Sequence, residues 1–442
     1  MLPLDPHITP TRYLTADVPP IGGVIKQRAE DFLVEELPAY EPCGTGEHLY
    51  LFIEKKNVST LHMMRVVAKH FGVPREAIGV AGLKDRLAVT RQVVSVHVPG
   101  RKPEDFPVFE HENMGLLWID RHTNKLRRGH LKGNQFIIKI RNVEASKVIV
   151  AAKALRLLTA LGAPNRIGFQ RFGLVENNHL VGRAIAMNDA QGAVDALLGP
   201  LPEGRWCPQS QVEFRRLYAQ GRYPESLAAM PRGLFAEERV LRALSRGQHP
   251  PRALRSMERM ENGFMLTAFQ SAVFNTVLDA RIAAGTYNRL LPGDLAFKHD
   301  SGAVFAVSEE LFASDPELPR RLEAIAISPS GPMWGSRMTR ATGEPGRIES
   351  DALAATGVSL DDLAKVDAMG LEHYEGKRRP LRIPIALPDI EGGMDEHGQY
   401  VKVRFELPRG AFATCVLQEI MKVPLQARDT GADADVVEET QE

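Results

Sequence analysis

The sequence predicts an α+β fold. Three observations carry this reading. Runs rich in β-branched and aromatic residues punctuate the first third, helical periodicity dominates from about 180 to 280, and strand patterning returns after about 380. A domain that starts, is interrupted and resumes accounts for that order.

Taken along the chain, residues 1–20 are rich in proline and polar side chains and read as an irregular arm. Val24-Ile25-Lys26 follows Gly22-Gly23 as a strand candidate, and Phe32-Leu33-Val34 as a second. His48 to Ile53 is aromatic and aliphatic without a breaker, as a buried strand requires. Thr60 predicts a helix N-cap, with Leu61, Met64, Val67 and Ala68 at helical spacing and Gly72 and Pro74 as the stop. Ala88 to Val98 and Phe136 to Ile140 read as strands, and Lys147 to Leu161 as a helix ended by Gly162. In the middle, Met265 to Ala283 carries the apolar stripe Leu266, Phe269, Val273 and Val277. Short strands and turns are expected from about 285 to 315, and a short helix near Leu360 to Ala368. Arg382 to Ala386 and Tyr400 to Leu407 alternate as strands, and Phe412 to Met421 closes as a helix. No internal repeat is present.

Composition narrows the function classes. The chain has 442 residues, 44% of them hydrophobic, enough for about two or three domains with real cores. No apolar run of about 18 residues exists to span a membrane. The N-terminus lacks the basic and apolar regions of a signal peptide, so the cytoplasm is the expected compartment. Cys43, Cys207 and Cys415 are far apart, which argues against a disulfide framework and a cysteine metal site. The histidines show no ligand spacing, and no metal is expected. The formal net charge is zero, yet phosphate binding needs only local positive charge. Between Arg121 and Arg141 lie seven Lys or Arg and no acid, whereas 429–442 holds six acids and no base and reads as a disordered tail.

Four segments bear chemistry. Ala81 to Gln92 places Gly82-Leu83-Lys84-Asp85 just before a strand, where a carboxylate can face a ligand; from spacing alone a surface turn with an ion pair is the favoured reading. Lys26, near Arg28, Glu30, Asp31 and Phe32, suits a partner that keeps a buried carboxylate ionised, or a solvated basic face. Lys125 to Phe136 joins a basic cluster to Asn134 and Phe136. That combination suits backbone gripping and base reading in RNA, where stacking is worth about 1–3 kcal/mol per base, or a basic loop with a core phenylalanine. Pro164 to Gly173, with Arg166 and Arg171, reads as a linker or a further RNA contact. Neither a phosphate-cradling glycine loop nor a GxSxG elbow is present.

Together these segments resemble the TruD family of tRNA pseudouridine synthases. The resemblance runs in order through Glu30–Val34, Gly44–Leu49, Ala81–Gln92, Lys125–Gly129, Lys132–Phe136, Pro164–Gly173, Gly376–Leu381 and Leu407–Thr414. It implies a pseudouridine-synthase catalytic domain formed by 1–162 and 383–428, with a mixed, largely antiparallel sheet and flanking helices, and an inserted α/β TRUD domain over 163–382. It further implies Asp85 as catalytic carboxylate and Lys26 as its basic partner. Phe32, Asn134 and Phe412 would contact the target uridine, and Phe136 would shape the pocket. Lys84, Arg127, Arg128, Lys132 and Arg171 are the expected RNA contacts. The expected substrate is uridine 13 of certain tRNAs, with no cofactor and no obligate protein partner. Ala29, Arg166-Ile167, a long stretch near 340–375 and the acidic tail depart from the family pattern. A non-catalytic RNA binder or chaperone, a synthase for another structured RNA and a methyltransferase are the competing readings. A carboxylate beside an anionic ligand disfavours the first, and the missing cofactor loop the last.

Overall fold

The structure, a computed structural model, describes residues 12–202, 204–368 and 374–423; the acidic segment 429–442 and residues 1–11 lie outside them. The chain divides into two compact units.

One unit comprises Asp17–Ala160 and Pro384–Val423. Its eight strands are β1 (Phe32–Pro38), β2 (His48–Lys56), β3 (Ile78–Val80), β4 (Val89–His97), β5 (Met114–His122), β6 (Leu131–Arg141), β7 (Ala386–Asp395) and β8 (Gly398–Pro408). They form one sheet in the order β7-β8-β6-β1-β4-β2-β5, with β3 on β4. Only β1 and β4 run parallel; every other pairing is antiparallel. The mixed, mainly antiparallel sheet that the resemblance implies is thus present.

Strand alternation fixes what each face carries. On β2, Leu49, Leu51 and Ile53 join Val94 and Val96 of β4 in a core with Met63, Val67 and Phe71 of the helix Thr60–Phe71. That helix starts where the sequence reading put it, but its N-cap is Ser59, whose hydroxyl accepts from the His62 amide. Gly72 ends it in the left-handed conformation, as a C-terminal glycine should. The same inward face continues into polar residues. Lys55 follows Ile53, Thr90 and Gln92 precede Val94, and Glu36 follows Val34, all buried. A buried arginine ties three strands at one end: Arg141 of β6 bonds Asp31 before β1 and Asp395 of β7, with closest distances of 2.6 Å to each.

Two expectations change here. Val24–Lys26 is not a strand: Val24 makes an isolated bridge to Arg141, and the chain then turns at Lys26, whose φ is 57°. Arg382–Ile383 pairs with Ala163–Pro164 in the other unit, whereas the long hairpin partner of β8 is Ala386–Asp395. That strand is mostly exposed and glycine-containing, so it shows little alternation to read. Strand β5 had no sequence counterpart because its residues are half-buried along an edge rather than cleanly alternating.

The other unit holds Leu161–Ile383 and the described residues before Asp17. It is rich in helices, around the helix Arg259–Ala283. The expected stripe of that helix is buried, but so are Ala268, Ala272, Phe274, Asn275 and Leu278, because it packs on more than one side. A four-stranded antiparallel sheet places Ile327–Met333 between Lys377–Pro380 and Leu295–Lys298, with Val304–Ala306 outermost. No described helix is long and apolar enough to cross a membrane.

Candidate active site

The loop between β3 and β4 is held from beneath by the polar end of the inward face. Lys55 is 1% exposed, and its ammonium donates to the backbone carbonyls of Val58 (2.5 Å), Asp85 (3.0 Å) and Lys84 (3.4 Å). The Lys84 amide donates to Thr60 Oγ1 at 3.0 Å, and Gln92 Nε2 donates to the Gly82 carbonyl at 3.3 Å. A buried ammonium is tolerated only when its donors are satisfied, and here they fix the loop that carries Asp85. Replacing Lys55 by Met strands the Val58 and Asp85 carbonyls, each costing roughly 1–3 kcal/mol when buried without a partner. The expected outcome is a lower urea midpoint together with about a tenfold loss of turnover on substrate RNA; an unchanged midpoint would exclude this support role.

Asp85 emerges from that loop and meets Lys26 at 2.6 Å between Nζ and Oδ2. The Lys26 side chain is 9% exposed and that of Asp85 36%. Burial is the strongest single influence on the Asp85 carboxyl and pushes its pKa up. The charge and hydrogen bond of Lys26, with Lys55 and Lys84 behind, outweigh it and hold the carboxyl below the ordinary carboxylate range. The left-handed backbone at Lys26 is uncommon for a residue with a side chain, at a cost on the order of 1 kcal/mol, and it brings the ammonium to Asp85.

Around this pair the structure gathers Phe32, Phe136, Lys84 and Asn134. Lys26 Nζ lies 4.5 Å from the Phe32 ring centroid. Phe32, 3% exposed, packs edge-on against Phe136, which in turn packs on Phe405 of β8. Asn134 lies on β6 opposite Glu36, half-buried, with its Oδ1 2.7 Å from Lys84 Nζ. Gly133 before it must lack a side chain, since a Cβ there would sit 2.1 Å from the Leu407 carbonyl oxygen. Phe412 is half-buried at the N-cap of the closing helix Ala413–Met421.

The basic cluster divides. Arg127, Arg128 and Lys132 are exposed, whereas Lys125 bonds the Glu76 carbonyl and Lys139 and Arg141 are ion-paired to Asp395. Lys84, expected at the RNA surface, does not fit that role. Its side chain is 4% exposed and its ammonium is 2.8 Å from Glu36 Oε2, so it belongs to an internal network. Its place next to Asp85 in sequence gave no sign of burial, because the loop folds it inward onto β1. Arg171 lies in the other unit, half-buried, with its guanidinium 4.8 Å from the Phe264 ring centroid. Arg166 of the same segment is buried in an ion pair with Asp279. Among the described residues no group of three or more His, Cys, Asp or Glu side chains is placed to hold a metal.

Sequence reasoning missed Glu36, Lys55, Thr60 and Gln92. The signal existed for three of them: each ionisable or amide residue occupies the inward phase of a strand whose other inward residues are apolar.

The sequence matches the family described as tRNA pseudouridine synthase D (TruD) over residues 9–420. A tRNA pseudouridine synthase D of Geobacter sp. (strain M21) is 41% identical over 415 residues, covering 93% of this chain and 99% of that one. One from Anaeromyxobacter dehalogenans (strain 2CP-C) is 34% identical over 434 residues, covering 98% and 100%. The fold is similar to a Methanosarcina mazei crystal structure solved as a candidate tRNA pseudouridine synthase D (TruD), with a TM-score of 0.81, 28% identity, and coverage of 95% of this chain and 98% of that one. By sequence over nearly its whole length, and by fold, this chain belongs to the tRNA pseudouridine synthase D (TruD) family.

Proposed function

We propose that this protein isomerises uridine to pseudouridine in tRNA, at uridine 13, with Asp85 as the catalytic carboxylate and the cytoplasm as its compartment. The observation that carries the reading is the Lys26–Asp85 pair, 2.6 Å apart, with Asp85 on a loop braced from beneath, in a member of this family. The reaction breaks the N1–C1′ bond of the uridine, turns the uracil and joins C5 to C1′. A proton leaves C5 and one is gained at N1, so composition is unchanged. Two routes use an ionised carboxylate: attack on C1′, or removal of a sugar proton to give a glycal-like intermediate. Both need the carboxyl deprotonated, which the Lys26 contact favours.

The target nucleotide must leave its stack, at a cost of a few kcal/mol. Phe412, half-buried at the N-cap of the closing helix, suits a contact to the freed base, and Phe32 and Phe136 form the apolar floor below Lys26. Exposed Arg127, Arg128 and Lys132 suit phosphate contacts. Neutralising Arg127 and Lys132 together as glutamines should reduce the slope of log affinity against log salt by about 1.4–1.8, at roughly 0.7–0.9 per phosphate contact. Filter binding of tRNA across a salt series reads this directly, and an unchanged slope would remove both residues from the interface.

The function is tested by incubating the purified protein with unmodified tRNA transcripts without cofactor and mapping pseudouridine by carbodiimide labelling and primer extension. A stop at uridine 13 supports the whole reading. A stop elsewhere keeps the reaction and moves the site, and no stop on any tRNA, with binding intact, supports another RNA substrate or the non-catalytic binder.

A further inference from the structure

Asn134 is fixed in one amide orientation by chemistry alone. Its neighbour is the ammonium of Lys84, at 2.7 Å. An ammonium has three donors and no acceptor, so only the carbonyl oxygen of the amide can face it. Lys84 in turn is held by the buried carboxylate of Glu36 at 2.8 Å, with side-chain exposures of 4% and 1%. Glu36 Oε1 also accepts from the Val93 amide at 3.3 Å, so the carboxylate is itself pinned to the sheet. The three side chains form a chain, Glu36 to Lys84 to Asn134, in which each link dictates the next. Its end is the Asn134 amide nitrogen, which has no acceptor among the described residues, on a half-buried side chain bonded to the residue preceding Asp85.

A free asparagine can turn its amide over and present either a donor or an acceptor. This one cannot, because a flip would set its NH2 group against an ammonium. Asn134 is therefore a committed donor on the side away from Lys84. Uracil and cytosine differ at the 4-position: uracil offers a carbonyl oxygen, an acceptor, and cytosine an amino group, a donor. We propose that Glu36 and Lys84 are positioning residues that lock Asn134 as a hydrogen-bond donor to the 4-carbonyl of the target base, so that the site accepts uracil and rejects cytosine. This rests on the functional reading above, which makes a uridine the target. It assigns to Lys84 a part in base selection in place of a phosphate contact. Sites built to hydrogen-bond one functional group discriminate strongly, because the wrong partner leaves a polar group unpaired.

The test uses the full-length protein and two tRNA transcripts that differ only in uridine or cytidine at the modified position. KM is measured for the first, and the inhibition constant of the second is measured against it. The wild type should favour the uridine transcript at least tenfold. In Lys84→Met/Glu36→Met, which removes both members of the ion pair so that no buried charge is left alone, the preference should fall to about threefold or less. Lys84→Arg keeps a donor-only cation and should retain the preference. Asn134→Asp, which places acceptors towards the base, should abolish it and serves if the double variant does not fold. An unchanged preference in the double variant or in Asn134→Asp overturns the inference, as does its loss in Lys84→Arg. Absence of pseudouridine formation by the wild type on any tRNA overturns instead the reading on which it rests.

Discussion

Asp85→Asn is expected to lower pseudouridine formation by at least about a thousandfold, in keeping with the loss of a covalent or proton-transfer catalyst, while tRNA affinity stays within about threefold. The substitution is nearly isosteric, and the loop that carries residue 85 is held by its backbone. The carbonyls of residues 84 and 85 go to Lys55, and the amide of residue 84 to Thr60. None of those bonds uses the Asp85 carboxylate, so the loop should keep its shape. What disappears is the ionised oxygen and its 2.6 Å contact to Lys26. Single-turnover assays with excess enzyme separate the chemical step from binding. Turnover near wild type in the asparagine variant would remove Asp85 from the mechanism.

The second large effect is expected for Lys26→Met, with turnover at neutral pH down by about a hundredfold, the scale on which a misassigned protonation state or orientation acts in acid–base catalysis. The pH profile carries more information than the loss itself. In the wild type the Asp85 carboxyl lies below its ordinary range, because Lys26, Lys55 and Lys84 together outweigh burial. The working form is the ionised one, so wild-type activity should persist as pH falls and decline only below the usual carboxylate range. Without Lys26 the burial effect gains ground, the pKa rises, and the acid limb of the profile moves to higher pH. Stability follows the same sign. A carboxyl whose pKa is depressed by folding stabilises the native state above its unfolded pKa, and that contribution is lost as pH falls through the folded value. The difference in denaturation midpoint between wild type and Lys26→Met should therefore be largest near neutrality and shrink in acid. A variant unfolded by circular dichroism at neutral pH would make Lys26 structural, and an unshifted acid limb would break its link to Asp85.

How much of this could be read from residues alone depends on how local the cause was. The helix Thr60–Phe71, the strands His48–Lys56 and Val89–His97, and the closing helix Ala413–Met421 were legible because burial on one face imposes a period of about 3.6 or 2 that survives in sequence. The same logic failed where that imprint is weak. Ala386–Asp395 is largely exposed, and Val24–Lys26 is extended for a single bridge before a left-handed turn that no local pattern announces. For the site, the ordered segments pointed to Asp85, Lys26, Asn134, Phe32 and Phe136, and each lies within or beside one polar network or its apolar floor.

The sequence by itself determined the family, the fold class and the identity of the side chains available for chemistry, since these depend on residue types in order along the chain. Only the tertiary structure decided what state those side chains are in. Lys84 reads as a surface base beside a loop aspartate, yet pairing β1 with β6 sets Glu36 opposite Asn134, and Lys84 closes between them. Lys55 lies just past the strand read from His48 to Ile53, yet the turn before β4 lays two loop carbonyls over its ammonium. Charge, desolvation and hydrogen bonding act over a few ångströms, and the partners here lie 29 to 59 positions apart in the chain. Folding alone sets those distances, and with them which lysine meets solvent, which holds a loop and which keeps a carboxylate ionised.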